Sequence, residues 1–286
     1  MSNALAVRHG RFGRAALYKL NKAFLTHAHR EAHLTFYVRG TPAGITVLDV
    51  PVSLDLLTGV AVNPWQPHSY DPRDFDDWTV ALVLYVKPQW TAEEGLACRE
   101  GLRFGRSTIE MTARVQGLVD RIVMLLLDDA SNGFDRYLYD LACACHEQSW
   151  EDSRAPIAFD RLKLYRDFRI RNSIRLMQER IADELAIDTI ARDAGLSRPH
   201  FYKLFRQHVG LTPNIYLNTL RMEAAIDRLT GTADPVTAIG LDLGFASQAS
   251  FTRFFTTNVG VPPSDYRRVA CCPKRSEART ARHASG

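Results

Sequence analysis

The sequence has 286 residues, 46% of them apolar and 24% charged, with a formal net charge of +4, a balance that excludes a disordered chain and is enough for two packed domains. No run approaches the ~18 apolar residues a membrane-spanning helix needs. Arg8, Arg11, Arg14, Lys19 and Lys22 precede the first acid, Glu31, but no apolar signal core follows, so an unexported, cytoplasmic protein without a membrane partner is expected. Five cysteines, Cys98, Cys143, Cys145, Cys271 and Cys272, form an odd set in tight pairs, which excludes a disulfide scaffold and fits a reducing compartment.

The first hundred residues read as strands. Segments 34–38, 45–50 and 79–86 are rich in β-branched and aromatic residues, and Gly40-Thr-Pro, Gly44, Asn63-Pro64 and Asp71-Pro72 punctuate them, as in a small sandwich or barrel. The period then changes. Ser107-Thr-Ile-Glu110 has the form of a capping box, and Val115, Leu118, Val119, Ile122 and Leu126 follow at helical spacing. Phe134, Tyr137, Leu138 and Leu141 open a second helix, antiparallel to the first. Cys143 and Cys145 with His146 do not complete a tetrahedral ligand set, and a buried helix face accounts for them. Residues 149–156 read as a polar linker, residues 160–269 as helical, and the basic end as a disordered tail.

An internal repeat dominates the C-terminal half. Ile190, Ala194, Gly195 and Leu196 match Ile239, Leu243, Gly244 and Phe245 at an offset of 49 residues. Phe201, Phe205, Val209, Gly210, Pro213 and Tyr216 match Phe251, Phe255, Val259, Gly260, Pro263 and Tyr266 at 50, the inserted residue being Ala246. Each copy is a helix-turn-helix. A short helix ends at Gly195 or Gly244, which can take the left-handed conformation of a sharp turn. Leu196 or Phe245 plugs the angle, and Ser197 or Ser247 caps the next helix. Thr212-Pro213 starts a joining helix that Gly231 ends, and Asp234-Pro235 starts the second copy. A continuous joining helix would space the two recognition helices by one DNA turn, about 34 Å. Charge agrees: from Asp160 onward there are 20 Lys and Arg against 13 Asp and Glu, and 16 against 19 before it, so the repeat half is the one suited to a polyanion. A plain bundle would explain the apolar positions, but not the repeated Gly-apolar-Ser turn beside Arg198, Tyr202, Lys203, Arg206, Gln248 and Arg253.

Residues 170–268 resemble the DNA-binding domain of the AraC/XylS family of bacterial transcription regulators. The most specific stretch is Gly244-Phe245-Ala-Ser247-Gln248-Ala-Ser250-Phe251-Thr-Arg253-Phe254-Phe255, closed by Gly260-Val-Pro-Pro263-Ser-Asp-Tyr266-Arg267. The resemblance implies base reading by Pro199, Tyr202 and Lys203, with Arg206 near the backbone, and by Gln248, Ala249, Thr252 and Arg253 in the second unit. Arg and Lys suit guanine, Gln suits adenine, and Tyr, Thr and Ala suit thymine methyls. Ser197 and Ser247, with the helix N-termini, suit phosphate. Three departures from the family pattern stand out: Ala186 at a capping position, Gly240 in place of a helical alanine, at about 1 kcal/mol of propensity, and Thr256 where a lysine is common.

The resemblance also implies a cupin-like N-terminal sensing domain and a helical pair used for dimerisation. His27-Ala-His29, His33 and Gly40 follow the first cupin motif with His in place of its Glu. Gly59, Pro64 and His68 sketch a degraded second motif. His27, His29 and His33 on one strand hairpin, with His68 facing them, could form a metal site. A mostly apolar pocket lined by Phe36, Tyr37, Trp65 and Trp78 is the preferred sensor, however, and neither a bound metal nor a cofactor is expected.

The reading is an α+β protein. Residues 1–106 form a cupin-like sensing domain, 107–149 a helical pair, 150–160 a linker, 161–270 the double helix-turn-helix, and 271–286 a tail. The expected function is a non-enzymatic, effector-responsive regulator, more often an activator in this family. Its expected partners are double-stranded DNA, a small-molecule effector, RNA polymerase if it activates, and a second copy of the chain. The alternative is a metal-dependent cupin enzyme with an appended DNA-binding domain, for which stoichiometric metal would speak.

Overall fold

A computed structural model describes residues 2–74, 76–93, 102–130, 132–151, 167–181 and 187–270. Cys98, Ala186, the cysteine pair 271–272, the linker from 152 on, the start of the DNA-binding segment at 161–166 and the tail 271–286 lie outside these residues.

Ten strands build the N-terminal half: β1 (Asn3–Gly10), β2 (Gly13–Leu20), β3 (Phe24–His27), β4 (Ala32–Gly40), β5 (Ala43–Val47), β6 (Val50–Leu54), β7 (Thr58–Val62), β8 (His68–Pro72), β9 (Thr79–Val86) and β10 (Thr108–Glu110). They pair as a six-stranded sheet, β1-β2-β9-β4-β7-β10, and a four-stranded sheet, β3-β8-β5-β6. The larger sheet is buried on both faces. Leu34, Phe36, Leu82 and Leu84 point to a helical pair, α2 (Ala113–Leu127) and α3 (Phe134–Glu151), which follow a short helix α1 (Pro88–Glu93). Tyr37, Ala81, Val83 and Tyr85 point to the smaller sheet. Two buried faces explain why β9 is apolar along its whole length rather than alternating.

Several local expectations need correction. Residues 45–50 are two strands, because Leu48 and Asp49 both take positive φ (50° and 66°) and turn the chain back on itself. The apparent capping box is a strand: β10 pairs with β7, and Thr112 caps α2 by accepting from the Val115 amide at 3.3 Å. Ser149 is not linker. It is fully buried in the last turns of α3, and its hydroxyl accepts from the Gly105 amide at 3.1 Å. The basic segment from Arg8 to Lys19 lies in the β1–β2 hairpin. Cys145 is buried in the core beneath α3 and Cys143 is half-buried, and burial pushes both thiols up.

The C-terminal half is helical: α4 (Phe168–Glu179), α5 (Ile187–Asp193), α6 (Arg198–Val209), α7 (Pro213–Gly231), α8 (Val236–Asp242), α9 (Gln248–Val259) and α10 (Pro263–Ala270). Both helix-turn-helix units dock on the strands. Ala28 shares a cluster with Phe201, Phe205 and Leu220 of the first unit, and Trp65 stacks on Tyr216 at 5.0 Å with ring planes 14° apart. The second unit packs α10 on β1, and Phe251, Phe255 and Tyr266 share one cluster with the interior of the sandwich. Among the described residues no helix is long and apolar enough to cross a membrane.

Candidate nucleic-acid interface

The two turns are built alike. Gly195 (φ 66°) and Gly244 (φ 79°) are both left-handed. The amides after them, Leu196 and Phe245, donate to the carbonyls of Ala191 and Gly240 at 2.9 and 3.0 Å. Each recognition helix then starts on a serine and ends at a left-handed glycine, Gly210 or Gly260. The serines differ. Ser247 accepts from the Ser250 amide at 3.2 Å, as a cap should. Ser197 makes no side-chain cap bond, although His200, at the place of Ser250, has an N–H to give. That leaves the Ser197 hydroxyl exposed at the helix start.

On α6, Phe201, Phe205 and Val209 are buried, whereas Arg198, Pro199, Lys203 and Arg206 are exposed. Tyr202 is half-buried and its hydroxyl has no hydrogen-bond partner among the described residues. Arg198 is tied to Asp188 of α5 at 3.2 Å and lies over the Tyr202 ring, so this predicted DNA contact also braces the turn. On α9, Phe251, Phe255 and Val259 are buried, Gln248, Ala249 and Arg253 are exposed, and Thr252 is half-exposed. Thr237 of α8 donates to the Gln248 side-chain oxygen. That bond orients the amide and leaves its NH2 for another acceptor. The face of α9 forms one wall of a groove of ≈ 730 Å³, and Lys22 and Ala23, from the β2–β3 turn, form part of the other.

The N-terminal candidates separate into two groups. His27, His29 and His68 come together, with His33 beside them: the ring centroids of His27 and His68 are 4.3 Å apart, and those of His33 and His68 4.5 Å. They do not sit on one hairpin. β3 and β8 pair His27 with His68 directly, and the chain then crosses to the other sheet, where β4 carries His33. Burial holds all four imidazoles below their usual range, His33 down to about 3. Phe36 is not with them, because alternation along β4 turns it from His33 to the opposite face, under the helical pair. Trp78 lies at the barrel edge against Lys19 and Arg39, and Tyr37 donates to the Gly40 carbonyl.

A cleft of ≈ 670 Å³ opens instead between the halves, lined by Arg14, His29, Arg30, Trp65, Tyr216 and Glu223 among others. Arg14 is buried against the Tyr85 ring at 3.6 Å and donates to the Tyr266 hydroxyl at 3.3 Å. Its Nε has no hydrogen-bond partner, and no ion pair to it is found among the described residues.

Residues 190–269 match the model of a helix-turn-helix domain family. Over 98 residues the chain is 34% identical to the regulatory protein SoxS of Escherichia coli, covering 34% of this chain and 92% of SoxS. The chain belongs to the AraC family of transcription regulators. The transcriptional regulator MtrA of Neisseria gonorrhoeae is 31% identical over 107 residues, but the match covers 37% of this chain and 36% of MtrA, about a third of that longer relative. Beyond the AraC-type domain the likeness is one of fold. The structure of ToxT from Vibrio cholerae, bound to an unsaturated fatty acid, matches 90% of this chain and 95% of its own with a TM-score of 0.55 at 15% identity. An AraC-type sequence signature points to α6 and α9. It carries no sign of Lys22 or Arg14, whose places depend on how the β1–β2 hairpin packs against the helices.

Proposed function

We propose that the chain is a sequence-specific DNA-binding transcription regulator whose α6 and α9 enter successive major-groove segments. The observation that carries this is the division of both helices. Each has one face of phenylalanines wholly buried and an opposite face exposed, on which Arg198 and Lys203 of α6 stand at the positions of Gln248 and Arg253 of α9. Side chains of these types suit base edges and phosphates. A small-molecule effector would act through the cleft between the halves, where the buried Arg14 suits an anionic head and Trp65, Tyr216 and Met222 an apolar body. Occupation there would change how the barrel holds α7 and α10, and so how the Lys22 turn stands beside α9. The exposed Met124 and Leu127 of α2 support the helical pair as a homodimer face. An activator's contact with RNA polymerase belongs to the same proposal.

Footprinting of the protein on its own promoter region, repeated across a salt series, tests the reading. The expected result is protection of two adjacent major-groove segments per protomer and a steep loss of affinity with salt, the slope falling by about one for Arg206→Ala. An affinity indifferent to salt would overturn it.

A further inference from the structure

The two recognition helices carry unequal charge. α6 holds Arg198, Lys203 and Arg206, whereas Arg253 is the single Lys or Arg of α9, and neither helix holds an acid. At the repeat offset of 50 residues Arg206 corresponds to Thr256, so the second unit is neutral where the first is charged. The structure brings a cation to that place from elsewhere in the chain. Lys22, in the turn between β2 and β3, lines one groove with Arg253, Thr256 and Thr257 of α9, and no carboxylate is among the lining side chains. Lys22 and Arg253 are both exposed. The flanks of the turn hold it there. A Cβ built on Gly260 would meet the Phe24 ring at 2.2 Å and the Leu20 side chain at 3.2 Å, so residues on both sides of Lys22 press on the end of α9. Gly260 is buried beneath them, whereas its counterpart Gly210 is exposed.

We propose that Lys22 of the barrel is a phosphate contact of the second helix-turn-helix unit, and that the groove between the β2–β3 turn and α9 seats one sugar-phosphate strand of the duplex, an assignment that rests on α9 entering the major groove. A helix with its side chains is about 10–12 Å across, and the major groove is about 12 Å wide. A helix lying in that groove is therefore flanked along its length by two rows of phosphates. Gln248, Ala249, Thr252 and Arg253 form the stripe of α9 turned to the bases, and Thr256 continues it by one turn. A cation beside the end of that stripe stands next to one of the rows. The ammonium of a lysine, a point charge on a flexible stem, suits a phosphate oxygen and needs no fixed orientation to a base edge. The hydroxyls of Thr256 and Thr257, on the other wall of the groove, can donate to the same strand. Lys22 reaches this place only while the barrel is docked on α9, so the sensing half lends the reading half part of its hold on DNA.

The test compares full-length variants on the duplex that footprinting protects, by fluorescence anisotropy across a salt series. Lys22→Ala should lower the slope of log affinity against log salt by about one and weaken binding about five-fold at about 0.15 M salt. Lys22→Arg should bind as the wild type does. The double variant Lys22→Ala/Thr256→Lys should regain the lost slope, because the lysine then stands on the helix itself. Ethylation interference locates the contact: Lys22→Ala should become indifferent to one phosphate flanking the segment that α9 covers, with the phosphates around α6 unchanged. Arg206→Ala, in the first unit, is the control. A slope that falls for Arg206→Ala and stays for Lys22→Ala would overturn the role of Lys22 and leave the regulator standing. So would tighter binding by Lys22→Ala, the mark of a turn that obstructs the duplex. A wild type whose affinity ignores salt would overturn both.

Discussion

Gly240 and Arg253 show how differently single residues act in the same helical unit. Arg253 is exposed on the free face of α9, where a guanidinium can give two parallel hydrogen bonds to guanine. Arg253→Ala is expected to cost about 1–3 kcal/mol on a cognate site and to relax preference at one base pair. Selection of bound sequences from a random pool checks this, and equal weakening on every sequence would move Arg253 to the backbone contacts. Gly240 does no reading. By propensity alone, alanine there should stabilise α8 by about 1 kcal/mol. The structure reverses the sign, because a Cβ at 240 would stand 2.8 Å from the Cβ of Phe251. The glycine lets α8 and α9 cross closely. Gly240→Ala should therefore destabilise by about 1–3 kcal/mol through overpacking, read as a lower denaturant midpoint.

Among elements, α9 is held from two sides. Its buried stripe packs on α8, and its C-terminal Gly260, at φ 85°, lies so near β3 that a Cβ would come within 2.2 Å of the Phe24 ring. Gly260→Ala thus carries two penalties, a strained backbone and a clash with the barrel. Adding Phe24→Ala relieves the second alone, so the double variant should be less destabilised than the sum of the singles. Additivity in that thermodynamic cycle would mean that α9 and β3 do not hold each other. The C-terminal elements were legible in the sequence because the repeat stated each turn twice: glycine, plug and serine predict α5–α6 and α8–α9 without reference to anything distant. The barrel was less so. The hairpin of residues 3–20 has no clear alternation, because β2 is buried along nearly all its length, and the split of 45–50 into two strands rests on positive φ at a leucine and an aspartate, which no turn motif signals. The histidines were visible as a cluster. Their alignment across two sheets was not, nor was the turning of Phe36 away from them. Lys22 and Arg14 could not be found at all, since the partner of Arg14, Tyr266, is 252 positions away.

For the whole molecule, the docking of the two halves is coupled to pH. Burial, with Glu31 and Asp227 nearby, pushes the carboxyl of Glu223 up to about 8 against the pull of Arg30, its ion-pair partner across the junction at 3.2 Å. With the halves apart, the group returns toward its usual 4.5. Between those values the docked form holds a proton that the undocked form has lost, so raising the pH loosens docking until about pH 8, beyond which the slope ends. His9, held down to about 4 chiefly by burial and in contact with the Tyr266 hydroxyl, acts with the opposite sign and below 6.5. The interval from 6.5 to 8 therefore isolates Glu223. Energy transfer between labels on the barrel and on α9 should fall across that interval, and Glu223→Gln should flatten the response. The merging of Phe251, Phe255 and Tyr266 with the sandwich interior into one apolar cluster has a further consequence. Severed from its barrel, the helical half would bare a greasy flank beside its DNA-reading surface, and the barrel would bare the matching one. Each fragment would then be prone to self-association, and the intact chain should melt in a single step, sensor and reader lost together.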